Sequence, residues 1–246
     1  MLKGIFCAAI LLAAVSVKTT KAASNININV IFNYDIFSEG TDVGNMKVQI
    51  KEISQGGYEI LEHSLIQAKA VWGEVSLQTK TSEQYSAGNS LISANIKTYD
   101  KNQVFWTTID NFGADLSIHF SAIKSPPIKE QEAPFKVLDT TIPKNSYHTT
   151  LAHLPKYWSI QQQKLPGHLN LLDFKSLSVV RMYIEDKGLE VREYRSAKIP
   201  TRHYTLISEN NEPLNIWLAV NENNIAYLFQ LQGKDEYGDF TIQVKP

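Results

Sequence analysis

The sequence predicts a mainly β protein: a large, strongly curved antiparallel sheet, closed as a half-barrel or barrel or stacked as two layers, with one short helix. Three observations predict it. Apolar and polar residues alternate over many short runs, the period of a strand with one covered and one wet face. Turn chemistry separates these runs at short intervals, leaving no room for amphipathic helices between them. A single stretch carries the proline punctuation of a helix.

Taken in order, the chain starts MLKGIFCAAILLAAVSVKTTKAAS. The basic Lys3, the uncharged run from Gly4 to Val17 and the exit Thr20-Lys21-Ala22 are the three parts of a secretory signal peptide over 1–22, expected to be removed. The run of 14 residues is shorter than the roughly 18 of a membrane-spanning helix. Cys7 lies near the start of that run, whereas a lipid-accepting cysteine sits at its end, so it reads as part of the signal peptide.

Removal after Ala22 leaves a chain without cysteine, which excludes disulfides, thiol nucleophiles and thiolate-bound zinc. It takes away three of the 24 basic residues and none of the 25 acidic ones, leaving 21 against 25 and a formal charge of −4. No basic run is interleaved with aromatics, so no nucleic acid is expected as a partner. Residues 23–246 suffice for one full β-rich domain, or for two sheet-forming halves joined near 122–134.

The first strand is read in NININVIFNYDIF, 25–37: Ile26, Ile28, Val30, Phe32, Tyr34 and Ile36 share one parity, and asparagines with Asp35 fill the other. Met46, Val48 and Ile50 repeat the pattern, as do Phe240, Ile242 and Val244 at the far end. Between them, runs near 57–69, 74–85, 90–98, 103–110, 115–121, 176–184, 189–197, 202–208, 214–220 and 224–232 read as strands. Gly56-Gly57, Gly88-Asn89, Tyr99 to Asn102, Asp186-Lys187-Gly188, Asn210-Asn211 and Asn221 to Asn224 supply the turns between them. AIKSPPIKEQEAP, 122–134, reads as an exposed loop. YHTTLAHLPKYWSIQQQKLP, 147–166, is the helix candidate, with Pro155 in its first turn and Pro166 at its end.

Reactive motifs are sparse. His148 and His153 are five apart and do not share the helical face of an HExxH zinc site, and no metal or other cofactor is expected. G-x-S-x-G, the P-loop and the dinucleotide fingerprint are absent. The acid pairs Glu185-Asp186 and Asp235-Glu236 flank glycines and read as solvated turn charges, whereas a glycosidase sets its two carboxylates across a cleft. Aromatics are the remaining signal. In LNIWLAV, 214–220, Trp217 projects away from the face of Leu214, Ile216, Leu218 and Val220, and a second layer, the helix or a bound molecule would have to cover it. A buried Trp is core by default, yet amphipathic rings also suit ligands. Trp72, Trp106, Tyr157, Trp158 and Trp217 are the candidate ligand-binding residues on this ground.

Several stretches carry a resemblance. They are FNYDIFSEGTDVGNMKVQI (32–50), in which Val43-Gly44 precedes the second strand, Glu83-x-Tyr85 leading to LISANIKTYDKNQ, Tyr147-His148 to Tyr157-Trp158-Ser159, and IWLAVNENNIAYLFQLQGKDEYGDFTIQV (216–244). They resemble the bacterial exported domain-of-unknown-function family 6134, itself similar to family 3108. The resemblance implies a curved, β-rich envelope protein similar in shape to half-barrels that carry lipoproteins or other lipids in the periplasm, and it brings no catalytic residues. Where members of the family often have a Trp-Tyr strand, this chain has Trp217-Leu218.

Three functions are expected, in this order. The first is a periplasmic or secreted binding or carrier protein for a lipid or other apolar molecule. A non-enzymatic assembly factor that binds another envelope protein comes second. The third is an envelope hydrolase, which would need His148, His153 or His203 to meet a carboxylate and a nucleophile in one pocket.

Overall fold

The computed structural model describes residues 29–70, 73–100, 103–124, 134, 136–194, 196–209, 212–235 and 238–245. The expected signal peptide, the first residues of the 25–37 run, most of the 122–134 loop, the Asn210-Asn211 turn and Trp72 lie outside them. Eight strands come first: β1 (Asn29–Ser38), β2 (Thr41–Glu52), β3 (Tyr58–Ala70), β4 (Gly73–Tyr85), β5 (Leu91–Asp100), β6 (Gln103–Phe112), β7 (Asp115–Lys124) and β8 (Lys136–Pro143). A helix, α1 (Leu154–Ile160), follows. Six strands complete the chain: β9 (His168–Asp173), β10 (Ser178–Tyr194), β11 (Ala197–Ile207), β12 (Leu214–Val220), β13 (Ala226–Asp235) and β14 (Gly238–Lys245).

All fourteen strands form one sheet in the order β8-β7-β6-β5-β4-β3-β2-β1-β14-β13-β12-β11-β10-β9. Every neighbour in this ladder is antiparallel and consecutive in sequence except β1 and β14, which pair Tyr34 with Val244 and Ile36 with Ile242. The sheet is thus two meanders joined where the first described strand meets the last.

The expectation of a strongly curved sheet closing as a half-barrel or barrel, or of two layers, is corrected here. A large antiparallel sheet with one short helix is present, but it is a single open ladder that ends at β8 on one side and β9 on the other. The reason lies in the segment that links those end strands. It runs along the free edge of β9, where Thr149 bridges Leu171 in parallel, the His148 amide donates to the Asn170 carbonyl (2.8 Å) and the Leu172 amide to the Thr149 carbonyl (2.9 Å). With that edge occupied, β8 has no ladder to make with β9, and the exposed edge is shielded from further pairing.

Local chemistry accounts for the elements. In β1 the even residues Phe32, Tyr34 and Ile36 are buried while Ile31 is exposed, as the alternation requires. Asp186-Lys187-Gly188, read as a turn, is instead a bulge that lets β10 run on as one strand of 17 residues. Gly188 takes φ +96°, its amide donates to Asp186 Oδ1 (3.0 Å), and the Arg202 guanidinium grips the same carboxylate. The helix occupies only seven residues of the 147–166 stretch. Pro155 stands in its first turn as expected, but it stops well before Pro166 because Gln162 and Gln163 enter the left-handed region, with the Gln163 amide returning to the Trp158 carbonyl (2.9 Å).

The helix buries Leu154 and Trp158, four residues apart on one face, against Leu169, Leu171, Met182, Tyr204, Leu206, Ile216 and Leu218. Trp158 donates its indole N–H to the Tyr204 hydroxyl (3.0 Å), so the polar tip of each ring is satisfied inside the core. A second cluster places Ile60, Tyr85, Leu91, Ile109, Leu116 and Ile118 with Ile142 and Leu172. Residues of β3 to β9 therefore share one core through the segment that precedes β9.

Candidate functional site

An open cavity of about 920 Å³ lies between the apolar face of the sheet and the segment carrying α1. β1 and β2 contribute Phe32, Tyr34, Met46, Val48 and Ile50. β9, β10, β13 and β14 contribute Leu171, Leu172, Val180, Met182, Leu231 and Ile242. Thr150, Leu151, Ala152, Pro155 and Lys156 close it from the helix side. On β1, β2, β10 and β14 these residues keep one parity of the pleat, so the period that made those strands one-sided also makes the cavity wall continuous, while β9 contributes the adjacent Leu171 and Leu172.

Two carboxyls interrupt this wall on the β3–β4 side. Glu62 on β3 and Glu83 on β4 both line the cavity. Glu62 pairs with Thr81, and Glu83 with Ile60, so the two carboxyls are diagonal neighbours on one face. Glu83 is 1% exposed. One of its oxygens accepts the hydroxyls of Tyr85 (2.5 Å) and Thr150 (2.7 Å). Burial raises its pKa to about 7 in spite of those two hydrogen bonds, with the Glu62 charge adding to the rise. Burial also raises Glu62. The hydroxyl of Tyr34 on the same wall is pushed well up by burial and then by the Glu62 charge.

Behind Glu83 stands a stack of rings. His153 lies 4.1 Å from Tyr85 and 5.9 Å from Tyr58, and the two tyrosines are 5.3 Å apart, all near parallel. His153 Nε2 shares a proton with the Tyr58 hydroxyl (2.5 Å) and Nδ1 with the Thr149 hydroxyl (2.8 Å). Burial, helped by the Lys156 charge, lowers its pKa to about 3, so the imidazole is neutral. Lys156 itself sits 5.6 Å over the Tyr58 ring.

The sequence-derived candidates fall elsewhere. Trp106 on β6 is 44% exposed, donates to Asn95 Oδ1 (3.1 Å) and carries Lys97 over its ring. Trp158 is core, and Tyr157 packs half-buried beside it. Trp217 is 5% exposed. It belongs to an apolar cluster with Ala219, Tyr227, Phe229 and Val244, and around its ring His203 stacks at 4.3 Å, the Arg192 guanidinium lies at 4.5 Å and Glu190 accepts its indole N–H. None of these four lines the cavity. Trp72 lies outside the described residues. The three histidines named for a hydrolase are also apart. His148 accepts the Asn170 amide (2.9 Å) at the β9 edge, His153 is in the tyrosine stack, and His203 is on the Trp217 side of the sheet.

Reading aromatics alone missed Glu62 and Glu83, although a signal was available. On β4, Glu83 shares the parity of Leu77 and Tyr85, and on β3, Glu62 shares that of Ile60 and Ile66. A carboxylate in an apolar row marks a place where the covered face is not simply oily.

With the geometry described, comparison with known proteins places the chain. The family model for DUF6134, a domain of unknown function, matches residues 34–237. The chain belongs to this family. No curated protein matches it. The crystal structure of a beta-barrel-like protein of the domain-of-unknown-function family DUF1849 from Brucella abortus matches with a TM-score of 0.59 at 10% identity, over 89% of this chain and 96% of that one. At that identity the likeness is one of fold alone. No helix among the described residues of the DUF6134 chain is long and apolar enough to cross a membrane.

Proposed function

We propose that this DUF6134 protein is an exported binding or carrier protein of the bacterial envelope that holds a lipid or other apolar molecule in the cavity beneath α1. The observation that carries the reading is the cavity itself. Its volume of about 920 Å³ falls in the range of roughly 300–1,000 Å³ of small-molecule sites, which are likewise mostly apolar with a few placed polar groups. A filled sheet-on-helix core would leave no such space, because interiors pack to the density of organic crystals.

Two measurements test this. Denaturing extraction of the purified protein followed by mass spectrometry is expected to release a stoichiometric lipid. A thermal-shift screen of twelve-carbon amphiphiles is expected to find ligands that stabilise by about 2.7 kcal/mol at a hundredfold excess over Kd, roughly 5–10 °C for a chain this size. Ala152→Trp, which fills the cavity from the helix side, should abolish both. Empty extracts together with a flat screen would sink the proposal.

A second reading, an assembly factor that binds another envelope protein, is favoured by a separate observation. β11 pairs with β12 only from Arg202 to Leu206, so the hairpin of β10 and β11 projects beyond it, with Leu189 and Val191 79% and 66% exposed. Cross-linking from a photoreactive residue at position 189 would give a recurrent protein adduct under this reading.

A further inference from the structure

The polar corner of the cavity specifies the head group of its occupant, and this step rests on the cavity being a binding site. The buried carboxyls among the described residues have partners, Asp35 in Lys245 for one. Glu59 is held by Lys51 (2.6 Å) and Ser82 (2.6 Å), and Glu83 by Tyr85 and Thr150. Glu62 makes no hydrogen bond or ion pair among the described residues, and the surface it retains faces the cavity. A largely desolvated carboxylate whose remaining accessible surface opens on an apolar cavity is poorly solvated, and a donor entering the cavity would satisfy it. A bare hydrocarbon supplies none. An anionic head group would face two carboxyls, while a neutral hydroxyl offers a single donor and no charge.

We propose that the cavity binds an amphiphile with a protonated amine, its ammonium seated between Glu62 and Glu83 and its chain along Phe32, Met46, Val48 and Leu228. An ammonium has three donors and no acceptor. It meets Glu62 and the free oxygen of Glu83 while the Tyr85 and Thr150 hydroxyls keep the other. It also removes the repulsion between the two carboxylates. Lys175, Lys234, Glu212 and Asp173 also line the cavity as a mixed set of charges, and Lys156 stands over the Tyr58 ring near the same corner, so the ammonium is held by Glu62 and Glu83 against one neighbouring cation.

The test is calorimetric titration of the purified, delipidated protein with dodecylamine, dodecanol and dodecanoate at pH 8. Dodecylamine is expected to bind at least about tenfold tighter than either of the others, the worth of one charge-assisted contact. Glu62→Gln, a near-isosteric change, should reduce that preference to about threefold or less while dodecanol binding holds. A second readout needs no variant. Affinity for dodecylamine, whose amine titrates like that of lysine at about 10, should rise from pH 5 to pH 8 as the carboxyls ionise, while that for dodecanol stays level. If dodecanol or dodecanoate binds as tightly as dodecylamine, or if the preference survives Glu62→Gln, the head-group assignment is wrong and the carrier reading stands. If none of the three binds, both fall together.

Discussion

Two histidine stacks on opposite faces of the same sheet teach how one motif is held by different forces. On the cavity side, His153 lies against Tyr85 and Tyr58, and every polar tip meets a hydroxyl, an imidazole nitrogen, an amide oxygen or a carboxyl. Burial there suppresses charge, pulling His153 down to about 3 and lifting Glu83 to about 7. On the other face, His203 lies against Trp217, but Arg192 and Glu190 close over the indole, and Arg192 also donates to Gln230 (2.5 Å). Charged side chains cover that ring while their heads remain half in water, as long basic side chains do over apolar surface. The inner stack is therefore a wall whose neutrality depends on desolvation, and the outer one a lid.

The largest expected effect breaks the inner stack. Tyr85→Ala removes a fully buried ring and the donor to Glu83, and should cost about 3–5 kcal/mol in urea denaturation. Trp217→Ala, where the side chains of the lid can settle inward, should cost less, about 3 kcal/mol. The reverse ranking would show that the outer face is the better packed of the two.

Next in size is a pH effect belonging to the inner wall. Folded Glu83 keeps its proton up to about pH 7, whereas the free group loses it near 4.5. The folded state binds the extra proton in that window, so the stability is complete below 4.5 and is lost as pH rises through 7. His153 acts in the opposite sense. Its folded pKa of about 3 lies below the ordinary 6.5, so its contribution is present above 6.5 and lost as pH falls through 3. Stability should climb from pH 3 to 4.5, change little while the two oppose each other, and decline above 6.5. The net decline is small, on the order of 0.7 kcal/mol at about 1.4 kcal/mol per pKa unit, because the Glu83 loss is unopposed only between 6.5 and about 7. Glu83→Gln should remove the opposing slope, so that stability goes on climbing between 4.5 and 6.5 and is level above it while the acid side stays as it was, and a profile that remains flat from 4.5 to 6.5 in this variant would refute the account of the wall.

Smaller changes sharpen the contrast. Tyr85→Phe keeps the ring and deletes one donor to Glu83, for roughly 1–3 kcal/mol. Arg192→Met on the outer face should cost less than about 1 kcal/mol, because its ion pair with Glu190 is part-exposed at 3.8 Å. Raising salt should erase most of the Arg192 effect and little of the Tyr85 one, since buried groups are screened less.

Much of the ladder was legible because its cause is local. β1, β2, β12 and β14 each announce themselves by a period of two, and most turns by glycine and asparagine. β8 and β9 went unread. KVLDTTIP has Val137 and Leu138 adjacent and both exposed, and HLNLLD buries Leu171 and Leu172 in succession, so neither shows a clean alternation. At Asp186-Lys187-Gly188 the residues that make a hairpin turn also make a bulge, and only the Arg202 side chain from the neighbouring strand decides between them.

By itself, the sequence determined most of the strands, the antiparallel meander and the proline-started helix, since each is written in neighbours a few residues apart, and its pattern over 34–237 carried membership of DUF6134. Tertiary structure alone decided that β1 meets β14, that the sheet stays open with the 147–150 segment on its β9 edge, and that Glu62 and Glu83 share a cavity while Trp217 does not. Those outcomes depend on which faces of distant strands pack together. Period and composition state that a face must be covered, and they leave the identity of the cover to long-range packing.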